Sequence, residues 1–294
     1  DGADVLMGLD LGDNLEGGAG SDSLNGGSGD DTVQGGRGGD TIDGGPGVDT
    51  LAYADPTGGV FVNLETGSAV SSDTVEGEDR LSGVENVIGG QFNDVIVGDG
   101  AANRLVGLEG PDSLNSGGGA DTLEGGAGDD TLNGGDGSDW LSGGAGADLM
   151  LGGADRNIFE FRAGDSPMLG LLTERDRING LGADDLLLFL GGVAPTADNY
   201  IELNAGLIDP RVIAQEFAGR GYEYIAVTIG GNVELFAPRI GVGVVLLNVS
   251  IDGFSMANIG IEPPSSSPAP TAGDDAIAGV GNDTIDGLAG ADTI

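Results

Sequence analysis

Read for apolar positions alone, the chain returns one aliphatic residue every nine: Leu6, Leu15, Leu24, Val33, Ile42 and Leu51, then Ile96, Leu105, Leu114, Leu123, Leu132, Leu141 and Met150. A period of nine fits neither an amphipathic helix nor a long alternating strand. Each unit offers only a short strand at positions seven to nine with one inward side chain, so units have to stack to bury it. An aspartate keeps the same register two positions earlier. It falls at Asp4, Asp13, Asp22, Asp31, Asp40 and Asp49, and again at Asp94, Asp112, Asp121, Asp130, Asp139 and Asp148, with Asn103 and Asn157 in its place at two steps. From Gly17 to Ala52 the text runs GGAGSDSLN, GGSGDDTVQ, GGRGGDTID, GGPGVDTLA, which is G-G-x-G-x-D-x-(aliphatic)-x. The second array frays, with Phe92 and Ala101 at position four and Ser116 at position one.

Glycines at positions one, two and four predict turns with φ > 0 that aim carbonyl oxygens into one pocket. The candidate carbonyls are those of Gly18, Gly20, Gly27, Gly29, Gly36, Gly38, Gly126, Gly128, Gly135 and Gly137. Position six adds a carboxylate. Oxygen-only donors suit a hard cation, and about six to eight of them at about 2.3–2.6 Å suit Ca2+.

The pattern resembles the RTX, or hemolysin-type calcium-binding, nonapeptide family of secreted bacterial proteins, and its dozen or so copies cover roughly 115 residues. The resemblance implies an all-β fold: a parallel β-roll, a β-helix-like solenoid with bound calcium, with two loops and two strands in each coil. Repeat i then stacks on repeat i+2. Neighbouring loops lie about 4.8 Å apart. An ion shared between them needs about 4.6–5.2 Å for Ca2+ but about 4.0–4.2 Å for Mg2+, so the stack favours calcium. The expected carboxylate pairs are Asp4 with Asp22, Asp13 with Asp31, Asp22 with Asp40, Asp31 with Asp49, Asp94 with Asp112, Asp112 with Asp130, Asp121 with Asp139 and Asp130 with Asp148. They amount to roughly eight full sites, and Asn103 and Asn157 weaken those they enter.

Composition sharpens this picture. Asp and Glu number 49 against 10 Lys and Arg, a net charge of −39, and there is no histidine or cysteine. All ten cations are arginine. Imidazole bases, thiol or amine nucleophiles and His- or Cys-ligated zinc are therefore excluded, and the chain is read as noncatalytic. The charge repels nucleic acid and anionic headgroups. With no apolar run of about 18–20 residues, neither nucleic-acid binding nor direct membrane insertion is expected. One buried aliphatic per nine residues cannot offset the entropy of ordering them, so metal-free arrays should be coil. Eight ions, each between two carboxylates, would bring −39 to about −23, making metal binding and folding one event.

The chain divides into array one (1–52), a spacer (53–88), array two (89–154), a β-rich capping region (155–262), a Pro/Ser linker (263–272) and the start of a third array (273–294). Asp1 falls inside a repeat, so the sequence reads as a piece of a longer protein. The spacer alternates at Val60–Leu64 and resembles those between RTX arrays, either continuing one rod or forming a small insert. In the capping region, 158–161, 186–190, 222–229, 233–236 and 242–249 read as strands, and Asp209-Pro210 to Gly219 as one short helix. NIFEFRAGDSP, RDRINGLGADDLLLF and LLNVSIDGFSMANI resemble the segment that follows RTX arrays in serralysin-type proteases, a cover for the open end of the roll. Asp165, Asp176, Asp184 and Asp185 are either further calcium ligands or plain structural or solvated acids, while Asp30, Asp99 and Asp136 read as solvated charge. Trp140, at position seven, should project outward, as a lone exposed aromatic or a sugar-stacking platform. Asp283 and Asp292 are candidate ligands in the third array.

The family resemblance implies a secreted, extracellular or cell-surface location, with calcium and a type I secretion machinery as partners. Other readings are an adhesin, surface-layer or polysaccharide-binding module, with self-association or a cell-surface glycan as partner, and the noncatalytic C-terminal part of a secreted protease or lipase.

Overall fold

The computed structural model describes residues 2–53, 58–71, 77–166, 175–182, 184–190, 200–204, 224–229, 232–238, 240, 242–247 and 258–261. The expected helix at 209–219, the linker and the third array, with Asp283 and Asp292, lie outside the described residues. Among the described residues there is no α-helix, and all regular structure is strand.

Successive repeats feed opposite sheets. Val5–Asp10, Ser23–Ser28 and Thr41–Asp43 line up in parallel in one sheet, while Asn14–Ala19, Thr32–Arg37 and Thr50–Ala52 do so in the other. Leu24 pairs with Leu6 and Val33 with Leu15, a step of one 18-residue coil. The second array repeats the arrangement, with Leu132 beside Leu114 and Leu141 beside Leu123. The fold is a parallel β-roll. Many strands run six residues, as in Thr122–Ala127, and so extend past positions seven to nine through the glycine pair of the next repeat. The strand expected at positions seven to nine was too short because the backbone ladder continues where no side chain needs to pack.

The core is two facing files of position-eight side chains, one from each sheet. Leu24, Val33, Ile42, Leu51, Ile96, Leu105, Leu114, Leu123, Leu132, Leu141 and Met150 are buried between the sheets, and only Leu6, on the first coil, is half open.

Between the arrays the two sheets behave differently. In one, Thr50–Ala52 is followed directly by Asn86–Ile88, with Leu51 beside Val87. In the other, three antiparallel strands (Glu78–Ser82, Ser68–Ser71 and Val60–Asn63) stand between Thr41–Asp43 and Val95–Val97. The outer members of this meander pair in parallel with the arrays, Leu81 beside Ile42 and Val62 beside Ile96, so residues 58–71 and 77–88 are built into the sheets of the roll.

Beyond the second array both sheets continue. Ile158–Phe161, Leu186–Phe189 and Ile259–Ile261 extend one sheet in parallel. The other adds Arg177–Asn179 and Val242–Leu247 in parallel, then turns antiparallel through Asn232–Ala237 and Tyr224–Ile229. Aromatic rings replace single aliphatics here: Phe161 stacks on Phe189 at 5.3 Å between centroids, and Tyr224 tilts against Phe189 at 5.7 Å. Arg175 and Glu234 form a buried ion pair at 2.8 Å, with the guanidinium over the Phe236 ring.

Trp140 corrects an expectation. It lies on the outer side of its strand, yet it is only 3% exposed, packed in a second apolar cluster with Ile158, Leu186 and Leu188. Its outward neighbours in the capping region are apolar, so it is neither an exposed aromatic nor a sugar platform.

A core of one file per sheet has only its facing file to relax into a cavity. Leu123→Ala should therefore cost about 2–5 kcal/mol, read as a lowered denaturant midpoint at saturating calcium. Leu6→Ala on the half-open first coil should cost well under half as much; equal losses would contradict this packing.

Candidate calcium sites

The position-six aspartates form two columns, one along each edge where the chain passes between sheets. In each column the main-chain N–H of one aspartate donates to Oδ1 of the aspartate one coil further on. The contacts are 2.7–3.0 Å from Asp4 to Asp22, Asp13 to Asp31, Asp22 to Asp40, Asp31 to Asp49, Asp94 to Asp112, Asp112 to Asp130, Asp121 to Asp139 and Asp130 to Asp148. Every pair expected from the nine-residue spacing is thus stacked in space.

The second carboxylate oxygen is left without a donor. Oδ2 of Asp13, Asp22, Asp31, Asp40, Asp49, Asp112, Asp121, Asp130, Asp139 and Asp148 is buried and makes no hydrogen bond. A buried anionic oxygen with no partner is costly, and a row of them calls for cations or protons. Among the described residues no three acidic side chains converge on one point. An ion here would therefore be held by the paired carboxylates, with main-chain carbonyls completing its shell, an all-oxygen donor set that fits calcium.

Carbonyls do gather there. A Cβ on Gly17 would lie 2.7 Å from Asp22 Oδ2 and 2.5 Å from the Gly35 carbonyl oxygen, and Gly26, Gly107, Gly125 and Gly134 repeat this crowding. Position one is therefore glycine for space. This corrects the expectation of φ > 0 there: the positive-φ glycines of the repeats stand at positions two and four, as in Gly18, Gly20, Gly27, Gly29, Gly36, Gly38, Gly126, Gly128, Gly135 and Gly137. The carbonyls of Gly18, Gly20, Gly27, Gly29, Gly126, Gly128 and Gly135 face the matching glycine one coil on, where any Cβ would collide with them. Gly135 O also accepts the Ala154 N–H at 2.8 Å, so part of this set serves the ladder. The first-position carbonyl, beside the unpartnered oxygen, belongs to the expected set of glycine carbonyls, although the named candidates were at positions two and four.

Frayed repeats show what closes a loop. With Phe92 at position four, the Gly90 N–H turns inward to Asp94 Oδ2 at 2.7 Å, and Asp94 Oδ1 takes the Val60 N–H, so both of its oxygens are satisfied. With Ala101 at position four, the Asp99 N–H likewise turns to Asn103 Oδ1 at 2.9 Å. A positive φ at position four thus accompanies an open position-six oxygen in these frayed repeats: Leu11 supplies it at 78° and Asp13 Oδ2 stays unpartnered, whereas Phe92 and Ala101 do not. Asn157 fills its own pocket: Nδ2 donates to the Ala154 carbonyl at 3.3 Å. Outside the arrays, Asp79 and Glu85 extend the columns by accepting the N–H groups of Asp40 and Asp49, and Asp176 and Asp185 do so for Asp148 and Asn157. Asp30 and Asp99 also accept main-chain N–H groups, of Val48 and Ala101, in solvent-exposed contacts.

Without metal, burial dominates the electrostatics. It pushes Asp112, Asp139 and Asp148 up to about 7 and Asp121 and Asp130 to about 6. Main-chain N–H groups pull each back down, and for Asp112, Asp139 and Asp148 the stacked carboxylate adds to the rise.

The fold and these columns define a class, the calcium-binding parallel β-roll. A family model of four copies of the RTX calcium-binding nonapeptide repeat matches residues 1–33, 16–51, 79–114, 97–132, 124–159 and 271–294. These stretches make up more than half of the chain, and the protein belongs to that family. Among solved structures it is similar to the extracellular lipase LipA from Serratia marcescens, with 18% identity and a TM-score of 0.31 over 88% of this chain and 40% of that one. The chain thus spans about two fifths of the length of that lipase structure. No curated protein sequence matches it.

The raised carboxyls give a signed pH dependence. Their folded values of about 6 to 7 exceed the unfolded value of about 3.9, so their stabilisation of the metal-free roll is complete below about pH 4 and is lost as pH rises through 6 to 7. In chelator, circular dichroism should show β-structure increasing from pH 8 to pH 5. Calcium affinity should fall over the same interval, because protons compete for the same oxygens. A metal-free protein indifferent to acid would contradict this electrostatic picture.

Crowding at position one gives a second expectation. Gly17→Ala should remove at least one ion from the calcium stoichiometry, counted by equilibrium dialysis, whereas Gly100→Ala, with open space around it, should remove none.

Proposed function

We propose that this chain is a calcium-triggered folding segment of a secreted bacterial protein, loose where calcium is scarce and folded where it is millimolar. The observation that carries the reading is the double row of buried aspartate oxygens without donors. Like charges stacked at strand spacing oppose folding until cations lie between them, so calcium concentration becomes the variable that sets the folded fraction. Weak, multi-ion sites suit the extracellular range.

Membership of the RTX family supports passage through a type I secretion machinery as an unfolded chain, with folding after release. The segment itself is noncatalytic in this reading, which the lack of histidine, cysteine and lysine supports.

Far-UV circular dichroism of the full chain tests the trigger. Coil in chelator and β-structure in millimolar calcium are expected, with magnesium at the same concentration giving little of the transition. An identical β spectrum in chelator at neutral pH would refute the proposal.

A further inference from the structure

Asp176 lies outside the nonapeptides and beyond the residues matched in the second array, yet it occupies the next rung of the first column. Its Oδ1 accepts the Asp148 N–H at 3.0 Å, and Ile178 pairs with Met150 as one position-eight residue does with another. The step from Asp148 is 28 residues instead of 18. The turn of this rung comes from another stretch of chain. Asp165 O takes the Gly146 N–H at 3.4 Å, the place that Ala127 O and Ala145 O hold for Gly110 and Gly128. Gly164 supplies the positive φ, at 100°. Ser166 closes the rung, its Oγ accepting the Asp176 N–H at 2.7 Å and donating to Gly243 O at 2.6 Å.

We propose that this rung is a composite calcium site, in which Asp148 Oδ2 from the last nonapeptide of the column and Asp176 Oδ2 from the capping region hold one ion between them. Both side chains are fully buried, and neither Oδ2 receives a hydrogen bond from any other described group, while the two carboxyls lie within reach of each other. The flanking arginines do not hydrogen-bond to them: Arg175 pairs with Glu234 through Nη2, and Arg175 Nε and Nη1 and Arg177 Nε have no partner. The second column supplies the contrast. Asp185 there takes the Asn157 N–H on Oδ1 and the Gly182 N–H on Oδ2, so its rung is closed by hydrogen bonds and takes no ion. The proposal rests on calcium occupying the columns, and it adds that one ion fastens the roll to its cap.

Native mass spectrometry of the full chain at saturating calcium, counting ions on the folded charge states, tests it. Asp176→Asn should carry one ion fewer than the parent chain, and Asp185→Asn the same number. An unchanged count for Asp176→Asn, or equal losses in both variants, would overturn the composite site. A parent chain that binds no calcium at all would instead overturn the broader calcium reading. If Asp176→Asn gives no folded species, Asp176→Glu serves, since a longer carboxylate in a sealed pocket should release one ion at lower chelator concentration. An unaltered release profile would overturn the site equally.

Discussion

The structure depends on a carboxylate with one oxygen spoken for and one left open. From Asp22 onward, Oδ1 of the position-six aspartates in the arrays accepts a main-chain N–H from the preceding coil, which fixes the side chain's direction. Oδ2 is held, buried, against the first glycine of its own repeat and the carbonyl of the next coil. Among the described residues no donor reaches it, except at Asp94. Stacking such groups at strand spacing makes the roll unfavourable without cations and gives each cation oxygens from two coils, so the charge that opposes folding is also what binds the metal.

Each glycine of the repeat follows from this constraint for its own reason. Position one leaves room for Oδ2, while positions two and four carry the turn. Where position four is Phe92 or Ala101, a local N–H rotates onto the position-six oxygen and the rung no longer needs an ion. Leu9, Leu11 and Leu108 take positive φ in place of glycine, and Leu9 and Leu11 stand exposed on the first coils. Apolar packing is secondary: one file of aliphatics in each sheet sets register, and most aromatics accumulate where the nonapeptides stop.

Much of this was legible in the sequence, because periodicity needs no tertiary information. The nine-residue register of aspartate and aliphatic, with the two-sheet coil of the RTX resemblance, was enough to name the core residues and every stacked pair of aspartates in the arrays. What escaped it depends on contacts distant in sequence. Asp79 and Glu85 join the columns through a meander that inserts strands into one sheet only, and Asp176 joins after a 28-residue step that no fixed spacing reveals. Trp140 was misplaced because its cover comes from Leu186 and Leu188, well past the repeat that contains it. Closure of Asp94 was hidden as well, since it depends on what replaces a glycine two residues earlier.

The most direct test of cations as the link between coils is a crystal structure grown in calcium, with anomalous difference maps collected at long wavelength. The account predicts peaks repeating at the coil spacing beside Oδ2 of Asp22, Asp31, Asp112, Asp130, Asp139 and Asp148, with coordination distances of about 2.3–2.6 Å. A well-ordered roll with waters or no density at those oxygens would contradict it.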